Sequence, residues 1–521
     1  MRILRTANRM IMAALLTCSL AVPVQAAPLV QTTGGMVQGV SQGNVNRFLG
    51  IPFAEPPVGD LRWRPPREKA PWEGVLVADE YGPVPLQYPG ISQHVPGLEN
   101  QSEDCLYLNV WAPAGDVADL PVLVWISGGA FQFGAGSMPA YDGSALAQKG
   151  AVVVTINYRL GPMGYMVHPD LALEEAHSGN YGQLDQLAAL KWIKENISAF
   201  GGSPSKVTMF GQSAGGSSVW MNLFSPLGKG LFDRAIIQSG SGPGNRFALH
   251  GFTGSWQEAA AMGQYLAEYL GASSLDELRA LPGELITDTA AELALYFGPV
   301  VDGYYLPDDF RKLAGSANQV PVMVGTTKDY AMGWDDPPTS AAAYQTYLQA
   351  TFGALAAFVE SAYPAAGPEE AWAMFDFVGT TAGFTEPARF TARACQAQGL
   401  DTYRYVFDYA PNTERGMLWG AHHDVEIPYL FGQLSPAEGY GAFDQTLSGL
   451  LMNYWIAFAA SGNPNAPGQY YWPAYGAQEN ILLIRENLTV VQGYYNEDCD
   501  FFQSIAVRTP PDYPGIEWLC R

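Results

Sequence analysis

Apolar runs of four to six residues recur along this chain, bounded by glycine, proline or polar residues. Residues 106–110, 122–126, 152–156, 207–210, 234–238, 320–325 and 404–407 are such runs, most of them rich in Val, Ile and Leu. They are short and continuous rather than alternating, the pattern of strands buried on both faces. Between them lie stretches of helical period. In residues 183–200, Leu184, Leu187, Leu190, Ile193 and Ile197 recur at steps of three and four. Strands alternating with helices predict an α/β fold, with a large, mostly parallel central sheet and helices on both faces. Residues 29–48, broken by glycines, predict short antiparallel strands at the start. The long helical stretches at 255–295 and 341–398 read as cap insertions on the sheet. No Ser/Pro-rich linker, charge block or internal repeat divides the chain, so residues 27–521 are expected to form one domain.

One apolar run ends in chemistry. Residues 207–216 read VTMFGQSAGG, and residues 219–224 continue as an apolar, helix-like segment. Strand, G-x-S-x-G, helix is the arrangement that puts a serine on a sharp turn with its hydroxyl above the sheet. Ser213 is the candidate nucleophile. A Gly-rich loop, Ser127-Gly128-Gly129-Ala130-Phe131, follows the 122–126 run. Such a loop exposes backbone N–H groups, as a developing oxyanion requires. Either motif alone also fits an ordinary turn between strand and helix.

Composition narrows the class. The chain has 521 residues, 48% of them hydrophobic, and a formal net charge of −23. Binding to nucleic acid or to an anionic membrane needs a basic footprint, and this chain has none. Arg2, Arg5 and Arg9 precede an apolar run over 10–22, and Val24-Gln25-Ala26 fits a small-residue cleavage site. Residues 1–26 are therefore expected to be a secretory signal peptide, which implies a secreted or periplasmic protein. No other run approaches the ~18–20 apolar residues needed to span a bilayer. Four cysteines follow the leader: Cys105, Cys395, Cys499 and Cys520. Export permits disulfides, and a Cys499–Cys520 link is expected to tie back a Pro-rich tail. Cys105 and Cys395 sit in apolar contexts and read as buried thiols. Six scattered histidines make no convincing metal site, and no cofactor is implied.

Several long motifs appear in one order. They are GIPFAEPPVGDLRWRPP from Gly50, SEDCLYLNVWAP from Ser102, VWISGGAFQFGAG from Val124, NYRLGPMGY from Asn157, GNYGQLDQLAALKWIKENISAFGG from Gly179, FGQSAGG from Phe210 and AHHDVEIPYLFG from Ala421. Together they resemble the type-B carboxylesterase/cholinesterase family of α/β-hydrolases, in its bacterial secreted para-nitrobenzyl-esterase-like form. The resemblance implies a serine carboxylesterase acting on small-molecule esters. It assigns Ser213 as nucleophile and His423, three residues before Glu426, as general base, with His422 as the neighbouring rival. It assigns the oxyanion donors to the N–H groups of Gly129, Ala130 and Ala214. Phe131, Phe133, Trp334 and Trp419 are candidates to line an aromatic gorge, although each also fits a core position.

The departures from the family pattern matter as much. The family's acid follows a sheet strand in a motif that here reads GTTKDYA from Gly325, and its position is Tyr330. Tyrosine carries no charge at neutral pH. Asp329 is the preferred substitute, with Asp335, Asp336 and Glu426 as alternatives, although the resemblance gives Glu426 a supporting role near Ser239. Gln212 replaces the family's elbow glutamate and removes a negative charge beside the nucleophile. The cysteine that pairs with the Cys105 motif is missing. The missing acid also leaves open a non-catalytic, cholinesterase-like binding or adhesion protein. An amidase or lactonase could use the same site.

Overall fold

The computed structural model describes residues 27–175, 178–240, 255–308, 310–329 and 338–508. The expected leader, Tyr330, Trp334, Asp335, Asp336 and Cys520 lie outside the described residues.

Eleven strands build the main sheet. In chain order they are β1 (Val40–Gln42), β2 (Val45–Pro52), β3 (Tyr107–Pro113), β4 (Leu120–Ile126), β5 (Val152–Ile156), β6 (Gly202–Gln212), β7 (Arg234–Gln238), β8 (Val322–Thr327), β9 (Thr402–Phe407), β10 (Asn480–Ile484) and β11 (Thr489–Gln492). Their spatial order is β11-β10-β9-β8-β7-β6-β4-β5-β3-β2-β1. From β5 to β10 every neighbouring pair is parallel, and the pairs outside that block are antiparallel. Every apolar run singled out above falls on one of these strands, the runs at 106–110 and 320–325 starting one and two residues ahead of theirs. A small separate sheet of Leu29–Gln31, Met36–Gln38 and Val75–Val77 takes up the N-terminal segment.

The sheet is buried on both faces because its strands are apolar on both. In β4, Val122, Val124 and Ile126 enter one core, while Leu123 and Trp125 enter the other. Side chains two residues apart share a face, so a continuous apolar run can supply both layers. The helices α1 (Tyr181–Asn196) and α2 (Ala214–Phe224) contribute to the first core, and α3 (Ala442–Ser461) to the second. The two expected cap stretches are helical. The first contains Trp256–Tyr269, Leu275–Ala280 and Gly283–Glu292; the second runs from Ala341–Phe352 to Glu386–Ala397.

Topology marks one place on this sheet. After β4 the chain passes to β5 on one side and then to β6 on the other. Ligands of open α/β sheets bind outside the carboxyl ends of the strands at such a reversal. The Ser127–Phe131 loop leaves the carboxyl end of β4, and Ser213 follows that of β6.

No disulfide is found among the described residues, and Cys520, the expected partner of Cys499, lies outside them. Cys105, Cys395 and Cys499 are all free and buried, and Cys499 lies on a helix, Asn496–Arg508, rather than on an irregular tail. Burial pushes the thiol pKa of all three upward, to about 11 for Cys499. Inert core thiols behave this way. Among the described residues no helix is long and apolar enough to cross a membrane, and no cluster of side chains could hold a metal ion.

Candidate active site

The serine turn is strained and tightly backed. Ser213 has φ 60 and ψ −126, a region that a non-glycine residue rarely occupies, at a cost on the order of 1–3 kcal/mol. Its N–H donates to the Gln238 carbonyl of β7 (2.9 Å), and its carbonyl accepts from the Ser217 N–H (2.8 Å), starting α2. Glycine is required at 215, because a Cβ there would run into the Ile126 carbonyl oxygen of β4.

The loop after β4 lies directly against this turn. A Cβ on Gly128 would stand 3.1 Å from that of Ser213. The loop is fixed by its carbonyls. Tyr158 OH donates to Ser127 O (2.8 Å), and Tyr296 OH donates to Ala130 O (3.0 Å). The N–H groups of Gln132 and Phe133 donate to Gly129 O, and that of Gly161 to Phe131 O. In a trans peptide the N–H points away from the preceding carbonyl. Binding Gly129 O inside the turn therefore aims the Ala130 N–H outward. Among the described residues no hydrogen bond uses the N–H of Gly129 or Ala130. The N–H of Ala214, as the first residue of α2, has no partner within its helix. Ala130 and Phe131 both sit at positive φ, 53 and 60, so this loop carries strain without the glycine that the family has at position 130.

His423 approaches from the segment after Glu414–Trp419. Its carbonyl accepts a 2.8 Å hydrogen bond from Gln212 Nε2, which links the base's loop to the residue before Ser213. The ring is buried, and Phe384 packs against it at 4.8 Å. Phe384 belongs to a single π-helical turn, Thr381–Thr385, a distortion that often occurs at functional sites. His423 Nε2 is buried and has no hydrogen-bond partner among the described residues. Burial pushes the His423 pKa down to about 4, although Asp424 pulls it up. The imidazole is thus neutral at pH 7, the state in which it can take a proton. His422 is engaged differently: its Nδ1 lies 2.7 Å from Asp424 Oδ1, which Arg415 also grips.

The candidate acids are placed as follows. Asp329 Oδ2 accepts from the Ala421 N–H at 2.7 Å, and burial pushes its pKa up against that bond. Glu426 is fully buried between Tyr405 OH (2.8 Å) and Nε2 (2.9 Å) of Gln238, the residue before Ser239. Burial raises its pKa to about 7. Among the described residues no hydrogen bond joins a carboxylate to the His423 ring. Of the aromatics expected at a gorge, Phe131 is fully buried and packs edge-on to Tyr165, a core role rather than a lining one. Phe133 packs on Tyr88 and Trp419 on Trp372, both half-buried.

Sequence reasoning missed Tyr296, Phe384, Asp424 and the reach of Gln212 to His423. Only Gln212 and Asp424 carried a local signal, each being adjacent to a residue already singled out.

A parallel sheet with a strained serine turn at its switch point defines the α/β-hydrolase class. The profile of the Carboxylesterase family matches residues 26–502, and the chain belongs to that family, the type-B carboxylesterases and cholinesterases. It is a carboxylic ester hydrolase. The para-nitrobenzyl esterase of Bacillus subtilis (strain 168) is 37% identical over 488 residues, covering 89% of this chain and 96% of that protein. The fumonisin B1 esterase of Sphingopyxis macrogoltabida is 37% identical over 479 residues, covering 87% and 85%. A solved structure of PNB esterase superposes with a TM-score of 0.79 at 36% identity, over 91% of this chain and all of that one.

Proposed function

We propose that this enzyme cleaves small-molecule carboxylic esters through an acyl-enzyme on Ser213. His423 takes the hydroxyl proton as Ser213 attacks the ester carbonyl, and the oxyanion rests on the N–H groups of Gly129, Ala130 and Ala214. His423 then returns the proton to the leaving alcohol, and water releases the acid by the same steps in reverse order. The observation that carries this reading is the Gln212–His423 hydrogen bond, because it brings the base's loop to the residue beside the strained serine. Two tyrosine hydroxyls and three backbone amides clasp the carbonyls of the oxyanion loop, which favours preorganised donors. Export through a leader at 1–26 is part of the proposal. It rests on the three arginines, the apolar run and the small-residue site that follows.

The test is labelling with an organophosphonate, followed by mass spectrometry of the modified residue. Labelling at Ser213, with both labelling and ester turnover lost in Ser213→Ala, is the expected result. A label at another serine rejects the assignment.

A further inference from the structure

Tyr330 occupies the family's acid position, yet Asp329 beside it is far from idle. Its Oδ2 accepts from the Ala421 N–H at 2.7 Å, and its own N–H donates to the Ala421 carbonyl at 3.2 Å. Residue 421 is therefore gripped on both polar groups of its backbone, two residues before His423. Gly420 makes room for this contact. It sits at φ +66, and a Cβ there would overlap Asp329 Oδ2. Asp329 is itself anchored, because the preceding Lys328 N–H donates to Phe407 O at the end of β9 (3.0 Å). On the other side, Gln212 is buried, and its amide holds the His423 carbonyl.

We propose that Asp329 and Gln212 are positioning residues that hold the catalytic base by the backbone of residues 421 and 423, Asp329 acting through its acceptor oxygen and not as a charge on the imidazole. This rests on the reading of His423 as the base. Gln212 spans from the residue before the nucleophile to the peptide of the base, so it sets the distance between their two loops. Glutamine suits that task. Its amide nitrogen donates to a carbonyl oxygen, which an ionised glutamate cannot do. Asp329 fixes the hinge of the same loop from the carboxyl end of β8. What residue 421 requires of residue 329 is an acceptor oxygen, and an amide oxygen supplies one as well as a carboxylate.

That distinction yields the experiment. The variants Asp329→Asn, Asp329→Ala and Gln212→Met are compared by kcat and KM on a para-nitrophenyl ester. Asparagine keeps the acceptor for the Ala421 N–H, so Asp329→Asn is expected to lose no more than about tenfold in kcat. Asp329→Ala and Gln212→Met free one end of the loop. A displacement of about 1 Å costs on the order of 10²-fold in rate, so both should lose about a hundredfold in kcat with KM little changed. Neutralising a charged third member on the ring would instead cost on the order of 10⁴-fold. A loss of about 10³-fold or more in Asp329→Asn therefore overturns the proposal, as does an Asp329→Ala enzyme with wild-type kcat. Asp329→Asn decides the matter even if Asp329→Ala fails to fold. Failure of the underlying site assignment is visible separately, in the position of the phosphonate label on the wild-type enzyme.

Discussion

Lowering the pH titrates His423, the proposed base, and its burial gives that titration an unusual position. An ordinary histidine has a pKa near 6.5; burial pushes that of His423 down to about 4. At pH 5.5 a base of ordinary pKa would be only about 10% neutral, whereas His423 would be about 97% neutral. The acid limb of kcat/KM, which reports the free enzyme, should therefore fall near pH 4 rather than 6.5. At pH 5.5 the enzyme should keep nearly all of its plateau activity, about tenfold more than an ordinary histidine would allow. The measurement is kcat/KM against pH with an ester whose product is quantified after quenching, so that the titration of the product does not intrude. His422→Ala supplies the control. His422 Nδ1 is held by Asp424, so its removal should leave a working enzyme, whereas His423→Ala should lose on the order of 10²–10⁴-fold. An acid limb between pH 6 and 7 would refute the argument, because it would mean a ring that is hydrated or paired with a carboxylate. The same burial acts on stability, with a sign that can be worked out. The unfolded chain protonates this histidine near 6.5 and the folded one only near 4. The neutral ring's contribution is therefore fully present above pH 6.5 and is lost as the pH falls from 6.5 to 4, about 3 kcal/mol in all.

Two other outcomes follow from the structure and the sequence. Gly215→Ala drives a methyl group into the Ile126 carbonyl of β4, so it should cost about 1–3 kcal/mol in chemical unfolding together with most of kcat; wild-type values of both would show that the turn is not pressed against β4. N-terminal sequencing of the exported enzyme should read from about Ala27, and a chain beginning at Met1 would remove the argument for a cleaved leader.

The parts of the molecule legible in the sequence are those whose signal is local. The run at 152–156 is β5 residue for residue, and 234–238 is β7. The elbow and the Gly-rich loop are recognisable because the steric demands of a tight turn are met by neighbours in the chain. The site's second layer is not local. Tyr296 meets Ala130 across 166 residues, Asp329 meets Ala421 across 92, and Gln212 meets His423 across 211. No periodicity records such pairs. Phe131 illustrates a different limit. An aromatic residue in a Gly-rich loop looks the same whether the loop turns it toward a gorge or into the core, and here it packs on Tyr165. Near the C-terminus the helix at Asn496–Arg508 is signalled only by Glu497 and Asp498 in its first turn, the charge that suits a helix start.

A third member of a serine triad does two things at once: it orients the imidazole and it stabilises the imidazolium that forms during reaction. In the proposal made above, the first task falls to the backbone tethers, since Ala421 and His423 are both held through their peptides. The second is not met by any carboxylate bonded to the ring among the described residues, and burial makes the charged ring costlier still. A base of low pKa takes a proton from serine less readily, but once protonated it gives that proton to the leaving alcohol more readily, by Brønsted behaviour. On the proposed assignment, a site whose base gains no such partner would lean more heavily on the oxyanion amides. The clasping of that loop is consistent with such a division of labour. Tyr158, Tyr296 and the N–H groups of Gln132, Phe133 and Gly161 hold its carbonyls, and Ala130 is kept at a positive φ that non-glycine residues adopt uncommonly.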